Sequence, residues 1–525
     1  MIFRSPYAEI SIPEVSLTQL ILESAGRYKE KAALIEGTTG RTITYGELGE
    51  RIERAAASLY ARGFRKGDCL AIFSPNLPEY AIAFHAAAHL GGIVTTINPL
   101  YTDEEVAHQL KDAGAKLLVT IPQLLDKARE AVAQATSVEE IFVFGEAAGA
   151  TSFESLYETE ESAPQVDINA REDLCALPFS SGTTGLPKGV MLTHYNLVSN
   201  MCQMEQMNLF NSEDNLICVL PLFHIYGLMV ILNLGLYKGA TIVTMPRFDL
   251  EQLLKLMQDY RVTFAHLVPP ILLALTKHPA VDTYDLSHLH TIFSGAAPLG
   301  EAVTKACIER LNCHVRQGYG MTETSPATHC TGSDATKSKH GSVGMCVPNT
   351  EAKLVDMETG EAVGVDERGE LWVRGPQVMK GYHNRPEATQ GTVDADGWLH
   401  TGDIGYVDED GHLFIVDRVK ELIKYKGFQV APAELEAILL SHPAIADAAV
   451  IPSPDDEAGE VPKAFVVLKG EVTPEEIKEF VAERVAPHKK IRRLEVVDQI
   501  PKTASGKILR RVLKERERAQ LRATN

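Results

Sequence analysis

The distribution of apolar and polar positions predicts strands followed by helices through most of the chain. One series of apolar runs and helical segments occupies 69–73, 80–90, 93–97, 103–113 and 116–120. A second series occupies 216–220, 225–236, 240–245 and 250–260. Strands that alternate with helices favour parallel sheets covered by helices. The pattern therefore predicts an α/β protein with two helix-covered sheets.

The pattern changes after Gly344 to short β-like runs separated by turns. These runs occupy 351–355, 369–374, 405–407 and 412–416. Short strands with turns between them predict a smaller β subdomain. Beyond Arg418, an apolar strand pair at 446–451 and 463–468, a helix at 474–485 and a basic end indicate a separate α+β unit.

Composition narrows the range of partners. The chain has 525 residues, of which 45% are apolar and 23% charged, as in ordinary folded proteins. It contains 51 basic and 70 acidic residues, a formal net charge of −19. This balance repels nucleic-acid backbones and anionic lipid, so neither is expected as a partner. Proline, histidine, asparagine and lysine interrupt the apolar segment 217–243, which argues against a membrane span.

Two further features of composition concern location and local charge. The eight cysteines lie mostly in apolar runs without zinc-site spacing, and neither chain end carries a targeting signal. We therefore expect a cytoplasmic protein with reduced thiols. Residues 486–525 contain 12 basic and 4 acidic residues, so the C-terminal end presents positive charge although the whole chain is acidic.

The strongest single motif is SSGTTGLPKG at 180–189, between two apolar runs. Its glycines allow backbone N–H groups to turn inward around an anion, and its hydroxyls and Lys188 add donors and a positive charge. The motif therefore predicts a polyphosphate site. It is not the common P-loop, which requires Gly-Lys followed by Ser or Thr, because Gly185 and Lys188 are separated by Leu-Pro.

Four more motifs follow in the sequence: QGYGMTE at 317–323, TGD at 401–403, DRVKELIKYKGFQ at 417–429 and PKTASGK at 501–507. The five motifs, in this order, resemble those of the adenylate-forming enzymes: acyl-CoA synthetases, adenylation domains of peptide synthetases and beetle luciferases. The likeness is nearest to 4-coumarate:CoA ligases, through 181–194 and 419–436. The resemblance implies a large N-terminal domain, 1–419, and a small mobile C-terminal domain, 420–525.

Enzymes of this family join a carboxylate to ATP with loss of pyrophosphate, and a thiol then displaces AMP. Because the first step brings two anions together, it needs a phosphate-binding loop, Mg²⁺ and a cation near the α-phosphate. By resemblance, Thr322 contacts the α-phosphate, Glu323 helps bind Mg²⁺ and Lys507 reaches both reacting anions. The other implied ATP and AMP residues are Ser180, Ser181, Gly182, Thr183, Thr184, Lys188, Ala296, Gln317, Gly318, Tyr319, Asp403, Arg418 and Lys420.

The second step needs another arrangement, because the CoA thiol must approach from where Lys507 stood. In this family the C-terminal domain swings between the steps, and Lys420 matches the hinge. The resemblance implies that Lys424 then faces the adenylate and that His224 gates the pantetheine tunnel. The implied CoA residues are Arg247, Lys426, Gly427 and Gln429.

The resemblance also implies an acyl pocket. Its residues are Ile225, Tyr226, Val230, Phe293, Gly295, Ala296, Gly318, Gly320, Pro326, Ala327 and Thr328. This small, apolar lining suits a flat aromatic acid, and Tyr226 is able to hydrogen-bond a para-hydroxyl. Ala327 and Thr328 replace a bulkier aliphatic pair, which should widen the pocket. Cinnamate, ring-substituted cinnamates and medium-chain fatty acids all stay open as substrates.

The favoured function is therefore an AMP-forming acid-thiol ligase that uses ATP, Mg²⁺, CoA and a small carboxylic acid. Two alternatives are an adenylation enzyme that loads a carrier protein and a luciferase-like oxygenase. The absence of a fused carrier module disfavours the first, and the HIYG sequence at 224–227 weighs against the second. We expect a monomer or weak homodimer.

Overall fold

The computed structural model describes residues 1–180, 187–332, 338–426, 428–455, 457–503 and 506–524. Within these ranges the chain forms two nine-stranded sheets and two five-stranded sheets. The two predicted helix-covered sheets and the β subdomain are confirmed. We call these three sheets with their helices the platform, and the C-terminal sheet with its helices the cap.

The first sheet has a parallel centre built by the first predicted series. Its strands are, in order across the sheet, Phe179–Ser180, Lys188–Thr193, Leu174–Ala176, Ile93–Ile97, Cys69–Phe73, Ala115–Thr120, Glu140–Val143 and Thr151–Ser152, with Gly381–Tyr382 beside Lys188–Thr193. Leu70 and Ile72 join one apolar cluster, Ala71 and Phe73 join another, and all four are fully buried. Because successive side chains point to opposite faces, this strand lies between two apolar layers.

The second sheet shares the larger apolar cluster with the first. Its strands are, in order, Met345–Cys346, Ala327–Cys330, His314–Gly320, Thr291–Ser294, Phe264–Leu267, Asn215–Cys218, Thr241–Thr244, Ala32–Glu36 and Thr42–Thr44. Leu70 of the first sheet and Leu216 of the second both belong to that cluster. The last two strands of the list come from the N-terminal region, for which the apolar pattern predicted no strand.

The helices of the platform begin where side chains can satisfy their first N–H groups. Thr44, Thr102 and Thr193 each accept from the backbone N–H three residues on, and the side chain there accepts from the threonine N–H in return. The helices are Leu17–Arg27, Tyr45–Ala61, Glu79–His89, Asp103–Ala113, Leu125–Gln134, His194–Gln206, Leu234–Lys238, Leu250–Asp259, Pro269–Lys277, Glu301–Leu311 and Pro386–Gln390. Short 3₁₀ turns occupy Pro122–Leu124, Phe153–Tyr157, Pro279–Thr283 and Thr322–Thr324.

The segment 225–236, predicted as an α-helix, has a different helical form in the structure. The segment Tyr226–Asn233 is a π-helix, which continues as the α-helix Leu234–Lys238. Asn233 donates to the Leu228 carbonyl at 2.8 Å. A largely apolar run does not specify which of these helix types it forms, and π-helical turns occur often at functional sites.

The β subdomain is an antiparallel sheet that contains both ends of the platform chain. Its strands are, in order, Phe3–Arg4, Glu351–Val355, Gly369–Arg374, Leu399–Val407 and Leu413–Arg418. The pattern predicted the later strands but not the first, because a two-residue strand carries no periodicity. Phe3 pairs with Ala352.

The cap is an α+β unit. Its strands are, in order, Phe428–Val430, Ile423–Tyr425, Gly459–Leu468 and Ile445–Asp455, with Arg493–Val496 parallel to Gly459–Leu468. Its helices are Pro432–Ser441, Pro474–Ala482 and Arg510–Thr524, and a 3₁₀ turn occupies Pro487–Lys489. Ile423, Leu435 and Val466 belong to an apolar cluster of the cap's own residues. The chain passes from platform to cap between Arg418 and Ile423, and the hinge at Lys420 in this stretch stays a prediction.

The cysteines lie in the interior. Seven of the eight are buried, and Cys202 is partly exposed. No helix in the described ranges has both the length and the apolarity needed to cross a membrane.

Candidate active site

The predicted nucleotide residues gather at the carboxyl ends of two parallel strands in the second sheet. Gly295 and Ala296 directly follow the strand Thr291–Ser294, and residues 317–319 lie in its parallel neighbour, His314–Gly320. Such strand ends form a crevice in which α/β proteins bind ligands. Ala296 is exposed there with φ of 69°, a left-handed conformation that is costly for a residue with a β-carbon.

Asp403 connects this crevice to the β subdomain. Asp403 and Arg418 pair across neighbouring strands, and the Arg418 Nε donates to the Asp403 Oδ1 at 2.9 Å. The Tyr319 hydroxyl donates to the Asp403 Oδ2 at 2.6 Å. The charge of Asp403 raises the pKa of Arg418, while burial, and then Asp403, raises that of Tyr319. The Asp403 carboxylate therefore holds together Tyr319 and Arg418, the two other residues predicted here for the nucleotide.

Lys188 and Glu323 both contact Tyr382. Lys188 pairs with Ser180 at the edge of the first sheet, and its Nζ lies 4.8 Å from the centre of the Tyr382 ring. The Tyr382 hydroxyl donates to the Glu323 Oε1 at 2.9 Å. Burial, and then the Glu323 charge, raises the pKa of Tyr382. Tyr382 thus joins the phosphate-loop lysine to the predicted magnesium carboxylate.

Tyr382 is a residue of the candidate site that no sequence motif indicates. It comes into contact because the strand Gly381–Tyr382 pairs with Val190 and Met191, which lie two and three residues after Lys188 in the same strand. No local pattern indicates this pairing, which joins segments almost 200 residues apart. Within the phosphate motif, the predicted residues Ser181, Gly182, Thr183 and Thr184 lie outside the described residues.

Glu323 meets the requirements of a magnesium site that is completed by substrate. It is buried, and Tyr382 occupies one of its two oxygens. No group of three or more histidine, cysteine or acidic side chains in the described ranges would hold a metal ion without other ligands. Mg²⁺ is often bound by one or two carboxylates together with substrate phosphates, so a single carboxylate that shares the Tyr382 contact with Lys188 of the predicted phosphate motif suits it.

The cap presents Lys507 to the centre of this site. The side chain is close enough to Arg418, Asp403 and Glu323 for all three charges to act on it. Burial, and then Arg418, lowers the pKa of Lys507, whereas the two carboxylates oppose this shift. Burial, and then the Lys507 charge, lowers the pKa of His224 to about 4, so the imidazole is neutral near pH 7. The structure therefore brings Lys507 and His224 to the same centre.

The segment that carries Lys507 packs directly on the platform. Gly506 has φ of 80°, and a β-carbon there would lie 3.2 Å from the Val268 side chain. Further along this interface, Lys277 of the platform donates to the Ile445 carbonyl of the cap at 3.4 Å. The cap is therefore docked with Lys507 directed inward.

The residues predicted for the second step, Lys424 and the CoA residues, do not join this centre. Lys424, Lys426 and Gln429 are exposed on the hairpin Ile423–Val430 at the edge of the cap sheet, and Gly427 lies outside the described residues. Arg247 is exposed on the platform. Lys420 is nearer the site, since burial, and then the charges of Lys188 and Arg418, lowers its pKa.

The predicted acyl pocket is built around Tyr226 and Phe293. A β-carbon on Gly295 would lie 3.0 Å from the Tyr226 ring, and one on Gly318 would lie 2.6 Å from the Phe293 ring. A β-carbon on Gly320 would lie 1.9 Å from the Pro326 carbonyl oxygen. The glycines therefore let aromatic rings and backbone approach closely. The buried residues of the set are Ile225, Val230, Phe293, Gly295, Pro326, Ala327 and Thr328.

Both the sequence and the structure of the chain match known proteins. Residues 21–383 match the family model for AMP-binding enzymes, and residues 434–507 match that for the AMP-binding enzyme C-terminal domain. The chain belongs to the AMP-binding enzyme family. The resemblance to adenylate-forming enzymes inferred from the five motifs is thereby confirmed.

This AMP-binding enzyme has full-length relatives. It is 47% identical to 4-coumarate–CoA ligase 1 of Petroselinum crispum, covering 98% of this chain and 97% of the relative. The anthranilate CoA ligase AuaEII, solved with anthranoyl-AMP, superposes with a TM-score of 0.91 at 27% identity, covering 97% and 99% of the two chains. ATP-bound MatB from Rhodopseudomonas palustris gives 0.86 at 30% identity, covering 96% and 99%.

Proposed function

We propose that this AMP-binding enzyme is an ATP-dependent acid-CoA ligase of the 4-coumarate type. The observation that carries the proposal is the position of Lys507, a cap residue held beside Arg418, Asp403 and Glu323 of the platform. A cation placed there offsets the repulsion between a carboxylate and the α-phosphate of ATP. Identity of 47% over the full length to a 4-coumarate–CoA ligase supports the choice of acid and thiol.

In the first step, an oxygen of the acid attacks the α-phosphorus of ATP. The bond between that phosphorus and the bridging oxygen to the β-phosphate breaks, and pyrophosphate leaves with this electron pair. Lys188 and the phosphate motif bind the β- and γ-phosphates, while Lys507 binds the acid and the α-phosphate. Asp403 holds the ribose hydroxyls, and Tyr319 lies against the adenine. Mg²⁺ bound by Glu323 would neutralise phosphate charge.

In the second step, the CoA sulfur attacks the acyl carbonyl and AMP leaves with the bridging oxygen. The thiol proton passes to solvent or to the departing phosphate. We propose that residues 420–525 rotate about Lys420 relative to residues 1–419 between the steps. This rotation replaces Lys507 by Lys424 and brings Lys426, Gly427 and Gln429 towards Arg247. His224, neutral near pH 7 and close enough to Lys507 for its charge to act on the ring, would contact the acyl group and the pantetheine arm.

We also propose the partners, the cellular location and the oligomeric state of the enzyme. A net charge of −19 favours small-molecule partners over nucleic acid, and we propose a cytoplasmic enzyme that acts as a monomer or weak homodimer. Its substrates are ATP, CoA and a small carboxylic acid.

The test is a panel of acids assayed with ATP and Mg²⁺, with and without CoA. Pyrophosphate release should be greatest with 4-coumarate or a related cinnamic acid, and AMP and the acyl-CoA thioester should appear only when CoA is present. A medium-chain fatty acid as the best substrate would replace the proposed acid. If no acid yields a CoA thioester while a carrier protein becomes acylated, the ligase proposal fails.

A further inference from the structure

His266 is a buried polar residue beside the acyl pocket that neither the motifs nor the proposed mechanism uses. It lies in the strand Phe264–Leu267 and is fully buried, opposite Phe293 of the neighbouring parallel strand. Its ring centre is 5.6 Å from that of Phe293 and 5.8 Å from that of Tyr226. Two residues of the predicted acyl pocket therefore contact one imidazole.

The hydrogen bonds around Tyr226 form a short chain. The Tyr226 hydroxyl donates to the Phe293 carbonyl at 3.1 Å, and the His266 Nδ1 lies 3.4 Å from the same hydroxyl oxygen. The His266 Nε2 is buried and has no hydrogen-bond partner among the described residues. The two ring nitrogens of His266 are therefore in different environments.

This difference decides where the imidazole carries its proton. Burial lowers the pKa of His266 to about 3, so the ring is neutral and has one N–H. With the proton on Nε2, a donor would be buried without an acceptor, which is rarer in proteins than an under-used acceptor. With the proton on Nδ1, the N–H donates to Tyr226. The second arrangement is favoured.

The Tyr226 hydroxyl then has a fixed orientation. A phenol has one hydrogen to donate and two lone pairs that accept. Its hydrogen goes to the Phe293 carbonyl and one lone pair accepts from His266, which leaves one lone pair for a ligand. We propose that His266 is a positioning residue that makes Tyr226 an acceptor, so that the pocket prefers acids whose ring carries a hydroxyl donor.

This inference rests on the proposed function and deepens it, because it names the substrate group that the pocket reads. The readout is the ratio of kcat/KM for 4-coumarate to kcat/KM for cinnamate, measured by thioester formation. The concentration of folded enzyme cancels in this ratio, because both kcat/KM values are measured on the same sample. A variant that is only partly folded can therefore still be compared with the wild type. 4-Fluorocinnamate, which cannot donate a hydrogen bond from its ring substituent, serves as a second reference acid.

The wild-type enzyme should prefer 4-coumarate over both reference acids. His266→Leu should lower the 4-coumarate to cinnamate ratio about fivefold, the size expected for one neutral hydrogen bond. Tyr226→Phe should lower it by a similar factor, and the double variant should lower it no further, because both changes remove the same interaction. His266→Asn, whose side-chain amide can place an N–H near the former Nδ1, should restore part of the ratio.

Three outcomes would overturn the inference. The first is an unchanged 4-coumarate to cinnamate ratio in His266→Leu, and the second is a double variant in which the two single effects on this ratio multiply. The third is a wild-type enzyme that forms both thioesters with equal kcat/KM. In each of these cases the ligase proposal survives. If the wild type forms no cinnamic thioester at all, the proposed acid is wrong and the inference falls with it.

Discussion

Two lysines of the cap, Lys507 and Lys424, differ in how far they are buried and in the charges around them. Lys507 is partly buried against the platform, among the charges of Arg418, Asp403 and Glu323. Lys424 is exposed on a hairpin at the edge of the cap sheet. Only the first of these lysines can act on bound ATP while the cap is docked as observed.

Both lysines belong to one folded unit, and in the observed docking Lys507 lies at the platform crevice while Lys424 is exposed. The hairpin pairs with the long cap strand through Tyr425 and Gly459. The segment after Lys507 is tied to the same unit, where Arg510 binds Glu436 of the helix Pro432–Ser441 at 2.7 Å and donates to the Val450 carbonyl of the sheet at 3.4 Å. A second reaction that needs Lys424 therefore requires the cap to rotate as a body rather than a side chain to move.

The largest effect is expected for Lys507→Ala. Removing the cation should slow adenylate formation about 10²–10³-fold, as loss of a group that stabilises transition-state charge does. Conversion of supplied acyl-AMP to the CoA thioester should stay within about twofold of wild type, since that step does not use Lys507. Pyrophosphate release and thioester formation measure the two steps separately.

Lys502→Ala is the matched control, because Lys502 lies in the same segment but binds Asp447 of the cap at 2.6 Å. It should leave both steps near wild-type rates. Equal loss of both half-reactions in Lys507→Ala would show that the lysine supports the fold rather than the first step.

Lys424→Ala should give the opposite result with a smaller loss. We expect thioester formation from supplied acyl-AMP to fall about 10–100-fold, because the adenylate and thiol are no longer held in position. Pyrophosphate release in a single turnover should be nearly unchanged, since the side chain is exposed in the docked state. Lys478→Ala, on an outer helix of the cap, is the control. A loss of adenylation instead would contradict the separation of the two lysines.

Tyr382→Phe removes the hydroxyl that holds Glu323 without changing the ring beneath Lys188. The Mg²⁺ concentration that gives half-maximal adenylation should rise about 10-fold, as is usual when a group that orients a metal ligand is lost. Tyr406→Phe, which keeps the stacking on Phe414 in the β subdomain, should leave it unchanged. An unaltered Mg²⁺ requirement in Tyr382→Phe would remove Tyr382 from the site.

Gly506→Ala tests whether close docking of the cap matters. A β-carbon here would lie 3.2 Å from the Val268 side chain, and overpacking of about 1 kcal/mol should lower the docked state and the adenylation rate about fivefold. The left-handed backbone adds a cost to the stability of the cap that is the same in the docked and the rotated state. Thioester formation from acyl-AMP should not fall, because the rotated cap leaves Val268. A slower second step with a normal first step would contradict this docking.

The smallest expected effect is a pH difference between the steps. Burial and Arg418 lower the pKa of Lys507 from its ordinary value of 10.5, and the mechanism needs the protonated form. The kcat/KM for ATP in adenylation should therefore decline as pH rises towards a midpoint below 10.5, whereas thioester formation should lack this limb. The same alkaline limb in Lys507→Ala would assign it to another group.

Much of the fold follows from local patterns. The strand Cys69–Phe73 is apolar on both faces, as a central parallel strand must be, and Thr102 and Thr193 begin helices with side-chain caps. The strand Phe3–Arg4 was not predicted, because its only support is a partner almost 350 residues away. The π-helix Tyr226–Asn233 was predicted as ordinary helix, because an apolar run fits both.

The residues of the candidate site also fall into two groups: those that a local motif indicates and those that only the fold brings into contact. Asp403 and Arg418 were named from their motifs, and the antiparallel register places them side by side. Tyr382 and His266 were not named, since Tyr382 reaches the site through strand pairing with a distant segment and His266 contacts Tyr226 only where the π-helix lies against the sheet. Short motifs identify residues that would bind a common ligand. Residues that orient those side chains depend on contacts between distant segments, which only the fold creates.

The most direct test of the account is a distance between the two bodies in solution. Spin labels at Glu457, exposed beside the cap hairpin, and at Phe248, exposed beside Arg247, report whether the hairpin approaches the platform. The account predicts one long distance with ATP and a shorter one when a non-hydrolysable acyl-AMP analogue and CoA are bound. An unchanged distance in an enzyme that still forms the thioester would contradict rotation of the cap.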